Sequence, residues 1–299
     1  MAPALLLEQA FNGVQFGMML FLLAVGVTLI FGIMNVINLA HGSMFMLGSY
    51  FLMQWIDWTN SYAAGVVLAL LGIGVLSLLL ERTIIRPLYR HGHLDQVLAT
   101  FGLVLFFNEL VVVLWGRDPL YIAIPSILSG QVRLFEGAAY PAYRLAITAV
   151  AALVGVALYF VIAKTRLGML IRAGAEKRLV VEMMGVDISR IYMLIFALGG
   201  VLAGLAGMMT GPLLAVHPGM GEPILVLTLV VVIIGGVGSI RGALIASLLV
   251  GVLDTFGRVL LPVVFGTGTG NALSNMTVYI LMAAILLWRP RGLFPSHAG

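Results

Sequence analysis

The chain carries a short polar segment within a long apolar run, and its side chains are of the types that contact a polar solute. The segment reads Asn35-x-x-Asn38-x-x-His41-Gly42-Ser43. On a helix, the spacing of Asn35, Asn38 and His41 would put three uncharged donors and acceptors on or near one face. Such a face suits the passage of a small polar molecule, but the same side chains could satisfy backbone groups that a helix break sets free. The residues alone leave both interpretations open.

Two ionisable residues lie inside apolar segments, where a charge is costly and therefore a candidate functional group. Glu109 follows Asn108 and is a candidate for a solute path across a membrane; its alternative role is to pair with a neighbouring helix. Asp254 lies four residues before Arg258, a spacing that favours an ion pair along one helix. So few acidic groups at this depth argue against a carrier driven by an ion gradient.

The sequence contains no recognisable catalytic, metal or nucleotide site. A P-loop needs Gly-Lys-Ser/Thr, but the two lysines, Lys164 and Lys177, follow Ala163 and Glu176. The absence of cysteine excludes disulfides and thiolate chemistry, and the five histidines form no His-Glu-x-x-His motif. We therefore predict that the chain is not an enzyme and uses no metal or cofactor, so that any ATP hydrolysis would fall to partner subunits.

The composition indicates which elements must position these residues. The chain is 62% hydrophobic and 9% charged over 299 residues, whereas a soluble domain carries roughly 25% charged residues. Its uncharged runs, such as 9–56 and 191–221, exceed the length of about 20 residues that a membrane-spanning helix needs. We predict an all-α fold, a polytopic transmembrane bundle of eight or nine spans forming a single domain in the plasma membrane. The first apolar segment lacks a basic n-region and is expected to be retained as a span.

One of these helices must be interrupted. A continuous helix over 9–56 would be about 72 Å long, far more than a hydrocarbon core of about 30 Å, so the chain must break or re-enter near 35–43. A second interrupted segment, 235–242, contains Ser239. Interruptions in both halves are typical of transporters with pseudo-symmetric repeats, although coincidence in a glycine-rich chain is the alternative. Whether 35–56 spans the membrane or re-enters stays open.

Basic residues concentrate in three segments, which orients the bundle. Eleven of the sixteen Lys and Arg residues lie in 81–95, 164–190 and 289–299. Because basic loops stay on the cytoplasmic side, we predict that these segments are cytoplasmic and that the turn-rich segment 117–143 is extracytoplasmic. The net charge of +4 then reflects orientation, and no nucleic-acid partner is expected.

Two further patterns concern packing. The residues from Ala175 to Met184 predict a short amphipathic helix that Gly185 ends, with apolar side chains available to a partner subunit or, alternatively, to the lipid surface. Farther along, glycines recur at intervals of four, three and four, and small residues at this spacing let membrane helices pack closely. This predicted helix-packing stripe comprises Gly200, Gly204, Gly207 and Gly211.

Four stretches together resemble the LivH-type permeases, the membrane subunits of branched-chain amino acid ABC importers. Residues 26–50, with the polar segment, are similar to the N-terminal signature of that family. The other three are similar to its coupling loop, glycine loop and C-terminal ending: Thr165-Arg166-Leu167-Gly168-Met169-Leu170-Ile171-Arg172-Ala173 with Met183-Met184-Gly185-Val186, Gly235-Gly236-Val237-Gly238-Ser239-Ile240-Arg241-Gly242-Ala243, and Arg289-Pro290-Arg291-Gly292-Leu293-Phe294. Their order and spacing extend the resemblance over nearly the whole chain.

The resemblance implies an ATP-driven importer of branched-chain or other hydrophobic amino acids, in which this chain forms half of the translocation pathway. The implied partners are a second related permease or a second copy, two cytoplasmic ABC ATPases, an extracytoplasmic substrate-binding protein and the membrane lipid. The expected pathway residues are Asn35, Asn38, His41, Ser43, Glu109 and Ser239. The expected ATPase-coupling residues are Arg172, Glu182, Met183, Met184 and Gly185.

The chain departs from the family pattern at two places, and the family as a whole transports more than one class of substrate. Ala175-Glu176-Lys177-Arg178 stands where the family commonly has Asp or Asn with small residues, and Arg241 stands where proline is usual. The family also includes permeases for urea, short amides and aromatic acids, which are alternative substrates here. A secondary carrier driven by an ion gradient is a further alternative.

Overall fold

The computed structural model describes residues 3–135, 138–176 and 183–294. Its helices, with the bounds observed, are α1 Pro3–Leu29, α2 His41–Thr59, α3 Tyr62–Leu80, α4 Arg86–Leu88, α5 His93–Trp115, α6 Ala142–Lys164, α7 Arg166–Glu176, α8 Ile188–Thr210, α9 Gly221–Gly235, α10 Ile240–Phe265 and α11 Thr267–Trp288. Two single π-helical turns, here π1 (Ile30–Met34) and π2 (Glu81–Ile85), follow α1 and α3, and a 3₁₀ turn covers Ser126–Leu128.

The prediction of an all-α polytopic bundle is confirmed. Within the described residues, seven helical segments are long and apolar enough to cross a membrane, rather than the eight or nine predicted. The difference lies in two helices: α9 is apolar but has only 15 residues, and α2, with 19 residues, carries His41, Gln54 and Asp57. Both follow a non-helical stretch, 35–40 for α2 and 211–220 for α9.

A short β-hairpin interrupts the helical pattern in the segment 117–143. Strands β1 (Gln131–Phe135) and β2 (Ala138–Pro141) are antiparallel, with Gln131 opposite Pro141 and Val132 opposite Tyr140. The Tyr140 hydroxyl donates a 3.0 Å hydrogen bond to Asn12 Oδ1, which also accepts from Arg144. This polar contact attaches the hairpin to the first part of α1.

The described residues fall into two units. Unit 1 contains the chain up to Ala24, Ile124–Gly155 and the chain from Leu227 onward; unit 2 contains Val25–Ala123 and Val156–Val226. Three helices, α1, α6 and α9, pass from one unit into the other.

Unit 1 is held together by close helix contacts at glycines. In α1, a Cβ added to Gly17 would lie 2.7 Å from the carbonyl oxygen of Ser247 in α10. The hydroxyl of Ser274 in α11 donates a 2.8 Å hydrogen bond to the carbonyl of Gly257 in α10. The predicted ion pair within α10 is confirmed, with Arg258 Nε 2.8 Å from Asp254 Oδ2.

Unit 2 is built around α8, which packs against α2 and α3. Two backbones meet where a Cβ added to Gly48 of α2 would lie 2.6 Å from the Cα of Gly204. One turn farther, the hydroxyl of Ser49 donates a 2.8 Å hydrogen bond to the carbonyl of Gly207. Backbones approach this closely only where side chains are absent or small, and here both contacting residues, Gly48 and Gly204, are glycines.

Candidate translocation site

The interrupted helix predicted near residue 35 is present, and its break is centred on one asparagine. The turn π1 ends at Asn35, whose backbone is left-handed with φ 53° and ψ 37° and whose N–H donates a 3.0 Å hydrogen bond to the carbonyl of Phe31. Asparagine tolerates this conformation better than most residues, so the sequence supplies a suitable helix terminator here. Residues 35–40 are not helical, and α2 begins at His41.

The break changes the predicted arrangement of polar side chains. Asn35, Asn38 and His41 do not share one helix face, because the left-handed residue Asn35 ends the helix before the three-residue period can continue. Asn35 is exposed and Asn38 is half-buried. The Oδ1 atom of Asn38 is buried and has no hydrogen-bond partner among the described residues. The expectation of a single helical polar face is therefore wrong, although the polar residues do lie at a break.

The first residues of α2 are buried. His41 and Ser43 are 1% and 3% exposed, and the His41 ring lies against α1, since a Cβ added to Gly26 would lie 2.7 Å from its Cε1 atom. Between them, Gly42 meets the start of α9: a Cβ at Gly42 would lie 2.6 Å from the carbonyl oxygen of Gly221. The first turns of α2 and α9, the two helices that follow non-helical stretches, are therefore in contact.

Two residues that the sequence did not single out hold the broken segment. The Ile37 N–H donates a 3.2 Å hydrogen bond to Gln96 Oε1, and the Leu39 N–H donates a 3.2 Å hydrogen bond to Thr100 Oγ1. Gln96 and Thr100 are one turn apart on α5 and both are buried. Their side chains therefore satisfy backbone donors that the break releases. The signal in the sequence was a polar pair at i, i+4 near the start of a predominantly apolar helix.

The two remaining pathway candidates are Glu109 and Ser239. Glu109 is exposed on α5, while its neighbour Asn108 donates a 2.5 Å hydrogen bond to Glu222 Oε1 in the first turn of α9. Ser239 belongs to unit 1, where its side chain caps α10 by accepting a 3.1 Å hydrogen bond from the Gly242 N–H.

The predicted coupling residues are described only in part. Glu182 lies outside the described residues, as do most residues of the short helix predicted between Ala175 and Met184. Arg172 belongs to α7. Met183 and Met184 are 81% and 76% exposed, and Gly185 has φ +80°, a conformation that glycine adopts without strain.

The helix α7 itself contacts π1, the turn that leads into the break. Ile171, near the middle of α7, is buried. The segment that follows α6 is therefore in direct contact with the segment that precedes Asn35.

The stripe of small residues on α8 faces three neighbouring elements. A Cβ at Gly200 would collide with the Ser77 side chain of α3, and one at Gly207 would collide with the Phe45 carbonyl of α2. A Cβ at Gly204 would lie 3.0 Å from Ile73, and one at Gly211 would lie 2.8 Å from Ile122.

No group of three His, Cys, Asp or Glu side chains suited to a metal ion occurs in the part of the chain that the structure describes.

Known proteins of one family are similar to this chain over almost its full length. The profile of the family described as "Branched-chain amino acid transport system / permease component" matches residues 9–287. The chain is 28% identical to the high-affinity branched-chain amino acid transport system permease protein BraD of Pseudomonas aeruginosa, over 96% of this chain and 95% of BraD. It is 29% identical to LivH of Escherichia coli K12, over 96% and 94% of the two chains. A probable LivH of Methanocaldococcus jannaschii is 27% identical over 92% and 88%. No solved structure matches the chain.

These relatives are transport permeases of bacteria and archaea, and the seven apolar helices of this chain fit a location in the plasma membrane. The chain is a multi-pass protein of the plasma membrane. The resemblance inferred from four short stretches extends through every helix from α1 to α11. The protein therefore belongs to the family of permease components of branched-chain amino acid transport systems.

Proposed function

We propose that this chain is the membrane-spanning permease subunit of an ATP-driven importer for branched-chain or other hydrophobic amino acids. It forms half of the translocation pathway with a second related permease or a second copy of itself. Two cytoplasmic ABC ATPases supply the energy, and an extracytoplasmic binding protein delivers the substrate. The segments 81–95, 164–190 and 289–299 face the cytoplasm and 117–143 faces outward, as their basic and turn residues predict.

The observation that carries this proposal is the break at 35–40 within a bundle of apolar helices. Non-helical backbone at membrane depth is tolerated where it is held by protein or lines a polar cavity. Here Gln96 and Thr100 hold Ile37 and Leu39, which leaves the side chains of Asn35 and Asn38 for a passing solute. The exposed Asn35 and the buried, unpartnered Oδ1 of Asn38 are uncharged groups that can bind the polar end of an amino acid weakly enough to release it. His41, Ser43, Glu109 and Ser239 are the further pathway candidates.

The coupling assignment is supported by exposed methionines next to a contact with the break. Met183 and Met184 expose large apolar side chains outside the candidate spans. Flexible methionine side chains of this kind suit binding to a partner protein. Because α7 contacts π1, a force that a partner applies to segment 164–190 has a short path to Asn35. Arg172, Glu182 and Gly185 complete the proposed ATPase-facing set.

The test is uptake of radiolabelled leucine into proteoliposomes. This chain is reconstituted alone and with the permease, ATPase and binding-protein subunits that co-purify through a tag on it, each with and without ATP. Leucine uptake that needs ATP and the partners is expected. Uptake by this chain alone, driven by a proton or sodium gradient, would refute the proposal. Competition by unlabelled urea, acetamide or benzoate, in place of isoleucine and valine, would move the substrate to another class of the same family.

Two variants separate the pathway residues from the coupling residues. Asn38→Ala with His41→Ala is expected to abolish leucine uptake while leaving ATPase binding intact. Met183→Glu with Met184→Glu is expected to prevent the ATPases from co-purifying, because two charges would replace the apolar contact. If the first pair changed only the amount of protein, or the second left transport and ATPase binding unchanged, the corresponding assignment would be wrong.

A further inference from the structure

A charged cluster around one buried carboxylate lies at the end of α3, and it has no part in the proposed pathway or ATPase-facing set. Glu81, the first residue of π2, is 0% exposed. Arg86 donates two hydrogen bonds to its carboxylate, from Nε at 3.2 Å and from Nη2 at 3.0 Å, and the Tyr89 hydroxyl donates a third at 2.8 Å. A buried carboxylate needs such partners, because an unpaired charge out of water is strongly unfavourable. The arrangement is therefore fully satisfied and geometrically specific.

The cluster contacts the first turns of α8. The Tyr89 ring meets the Tyr192 ring edge to face with centroids 5.4 Å apart, and Arg86 Nη2 lies 3.9 Å from the sulfur of Met193. Burial, together with the hydrogen bond to Glu81, raises the pKa of the Tyr89 hydroxyl, so the group remains a proton donor. Since α8 begins at Ile188, directly after the segment proposed to bind the ATPases, the cluster is a neighbour of that segment.

On its other side, the cluster is linked to the break through one side chain. Gln96 is 3% exposed, and its Nε2 donates 3.3 Å hydrogen bonds to the carbonyls of Leu88 and His91, which flank Tyr89 and Arg90. The Oε1 atom of the same amide accepts the N–H of Ile37 within the break. A single buried amide thus joins the turn after α4 to the segment that interrupts the helix.

Both π turns contact the helices that surround the cluster and the break. Helix α8 contacts π1 and π2, and α7 contacts π1. Single π turns are rare and are frequently found at functional sites. Arg86, the residue after π2, is five residues from Glu81, and its backbone N–H donates to the Glu81 carbonyl with the i→i+5 spacing of a π turn. The ion pair joins the same two residues, so the pair and the turn stabilise one another.

We propose that the Glu81–Arg86–Tyr89 cluster and Gln96 form a linkage that transmits displacement of the start of α8 to the break at 35–40. The linkage rests on the proposed function, because it matters only if partner ATPases move the segment before α8. Its members are positioning residues: they do not contact the solute, and they couple the ATPase cycle to the backbone around Asn35. The competing account is a static brace, which would affect only folding and assembly.

The test uses substitutions that remove the hydrogen bonds of one side chain and keep its approximate shape. Tyr89→Phe removes the donor to Glu81 and retains the ring against Tyr192. Gln96→Met keeps the length of the side chain and removes all three of its hydrogen bonds. The matched controls are Tyr121→Phe, an exposed tyrosine, and Gln54→Met, which removes a 2.9 Å hydrogen bond from Trp115 Nε1 outside the linkage. Each assembled transporter is purified, checked for intact subunits, and reconstituted for leucine uptake and ATP hydrolysis.

The decisive quantity is the amount of leucine imported per ATP hydrolysed. Both linkage variants are expected to lower it by roughly two- to thirtyfold, the range for residues that carry coupling between sites, while ATP hydrolysis continues. The double variant Tyr89→Phe/Gln96→Met should be no worse than the more severe single variant, since one linkage is broken once. The two controls should match the wild type.

Several outcomes would overturn the linkage. An unchanged amount of leucine imported per ATP hydrolysed in either single variant, including a proportional fall of uptake and hydrolysis, would contradict it. A double variant whose loss in this ratio is the product of the two single losses would also contradict it. A loss of assembled transporter in both single variants, with a normal ratio in what remains, would show a static brace. All of these require ATP-driven uptake by the wild type; if that is absent, the proposed function fails, and the linkage fails with it.

Discussion

Replacing Gly48 with alanine tests how closely α2 and α8 pack in unit 2. A Cβ at this position would lie 2.6 Å from the Cα and 2.8 Å from the carbonyl carbon of Gly204, and both atoms belong to backbone. Backbone cannot rotate away as the end of a flexible side chain can. The two helices must therefore separate, and the 2.8 Å hydrogen bond from Ser49 to the Gly207 carbonyl, one turn away, lengthens with them.

The size of the effect follows from the distances. Carbon atoms attract best at about 3.5–4.0 Å, so the helices must move apart by about 1 Å, which forfeits a quarter to a half of each contact along the seam. Overpacking of this kind costs about 1–3 kcal/mol. Alanine gains up to about 1 kcal/mol over glycine in a helix interior, which offsets part of the cost. A net loss of roughly 1 kcal/mol is expected, or roughly 2 °C in the midpoint of thermal unfolding.

The four tryptophans allow unfolding to be followed by intrinsic fluorescence, and variants are compared at one scan rate. Gly102→Ala is the matched control: it lies in α5, and a Cβ there meets nothing within 4 Å, so only the helix-propensity gain applies. Its midpoint should equal or exceed that of the wild type. If Gly48→Ala were as stable as Gly102→Ala, the close approach of the two backbones would not exist in the protein.

Two further predictions concern tyrosines. Tyr50 is fully buried, and its ring is tilted by 41° against the Trp115 ring with centroids 5.1 Å apart. Its hydroxyl has no hydrogen-bond partner among the described residues, so Tyr50→Phe should leave the stability unchanged or raise it by up to about 1 kcal/mol. A lower unfolding midpoint would reveal a partner for that hydroxyl. Burial raises the pKa of Tyr89 above 10.0, its ordinary value, so its contribution to stability is complete below pH 10 and is lost as the pH rises through the higher folded pKa. Between pH 9 and 11, Tyr89→Phe should therefore lose less stability than Tyr121→Phe, and equal losses in the two variants would contradict the raised pKa.

The helices of this protein could be predicted because their signal is the length of uncharged apolar runs. The uncharged run 9–56 contains most of α1 and α2, and the run 191–221 contains most of α8, Ile188–Thr210. The break near residue 35 followed from a length limit, since the first apolar run is too long for one span. More spans were predicted than are observed, because an apolar run can be long enough for a membrane span and still contain a helix as short as α9.

The polar contacts could not be predicted, because they depend on conformations that periodicity does not describe. Glu81 was assigned to a basic loop, yet the chain stays helical through Leu88 and buries this carboxylate. Its pairing with Arg86 requires the five-residue spacing of π2, whereas pairs along an α-helix are expected at three or four residues. In the same way, a common face for Asn35, Asn38 and His41 depends on a helix that continues through all three, and the left-handed Asn35 ends the helix before Asn38.

The break and the helix that follows it are held by different helices, and this determines which motion can deform the break. Residues Ile37 and Leu39 are hydrogen-bonded to α5 through Gln96 and Thr100. The helix that follows the break, α2, is packed backbone to backbone on α8 at Gly48 and Gly204 and must move with it. A displacement common to α5 and α8 leaves residues 35–40 unchanged, whereas a displacement of α8 relative to α5 must change their backbone angles. The Glu81 cluster lies between the start of α8 and the loop that Gln96 binds, and it is therefore placed to set this relative displacement.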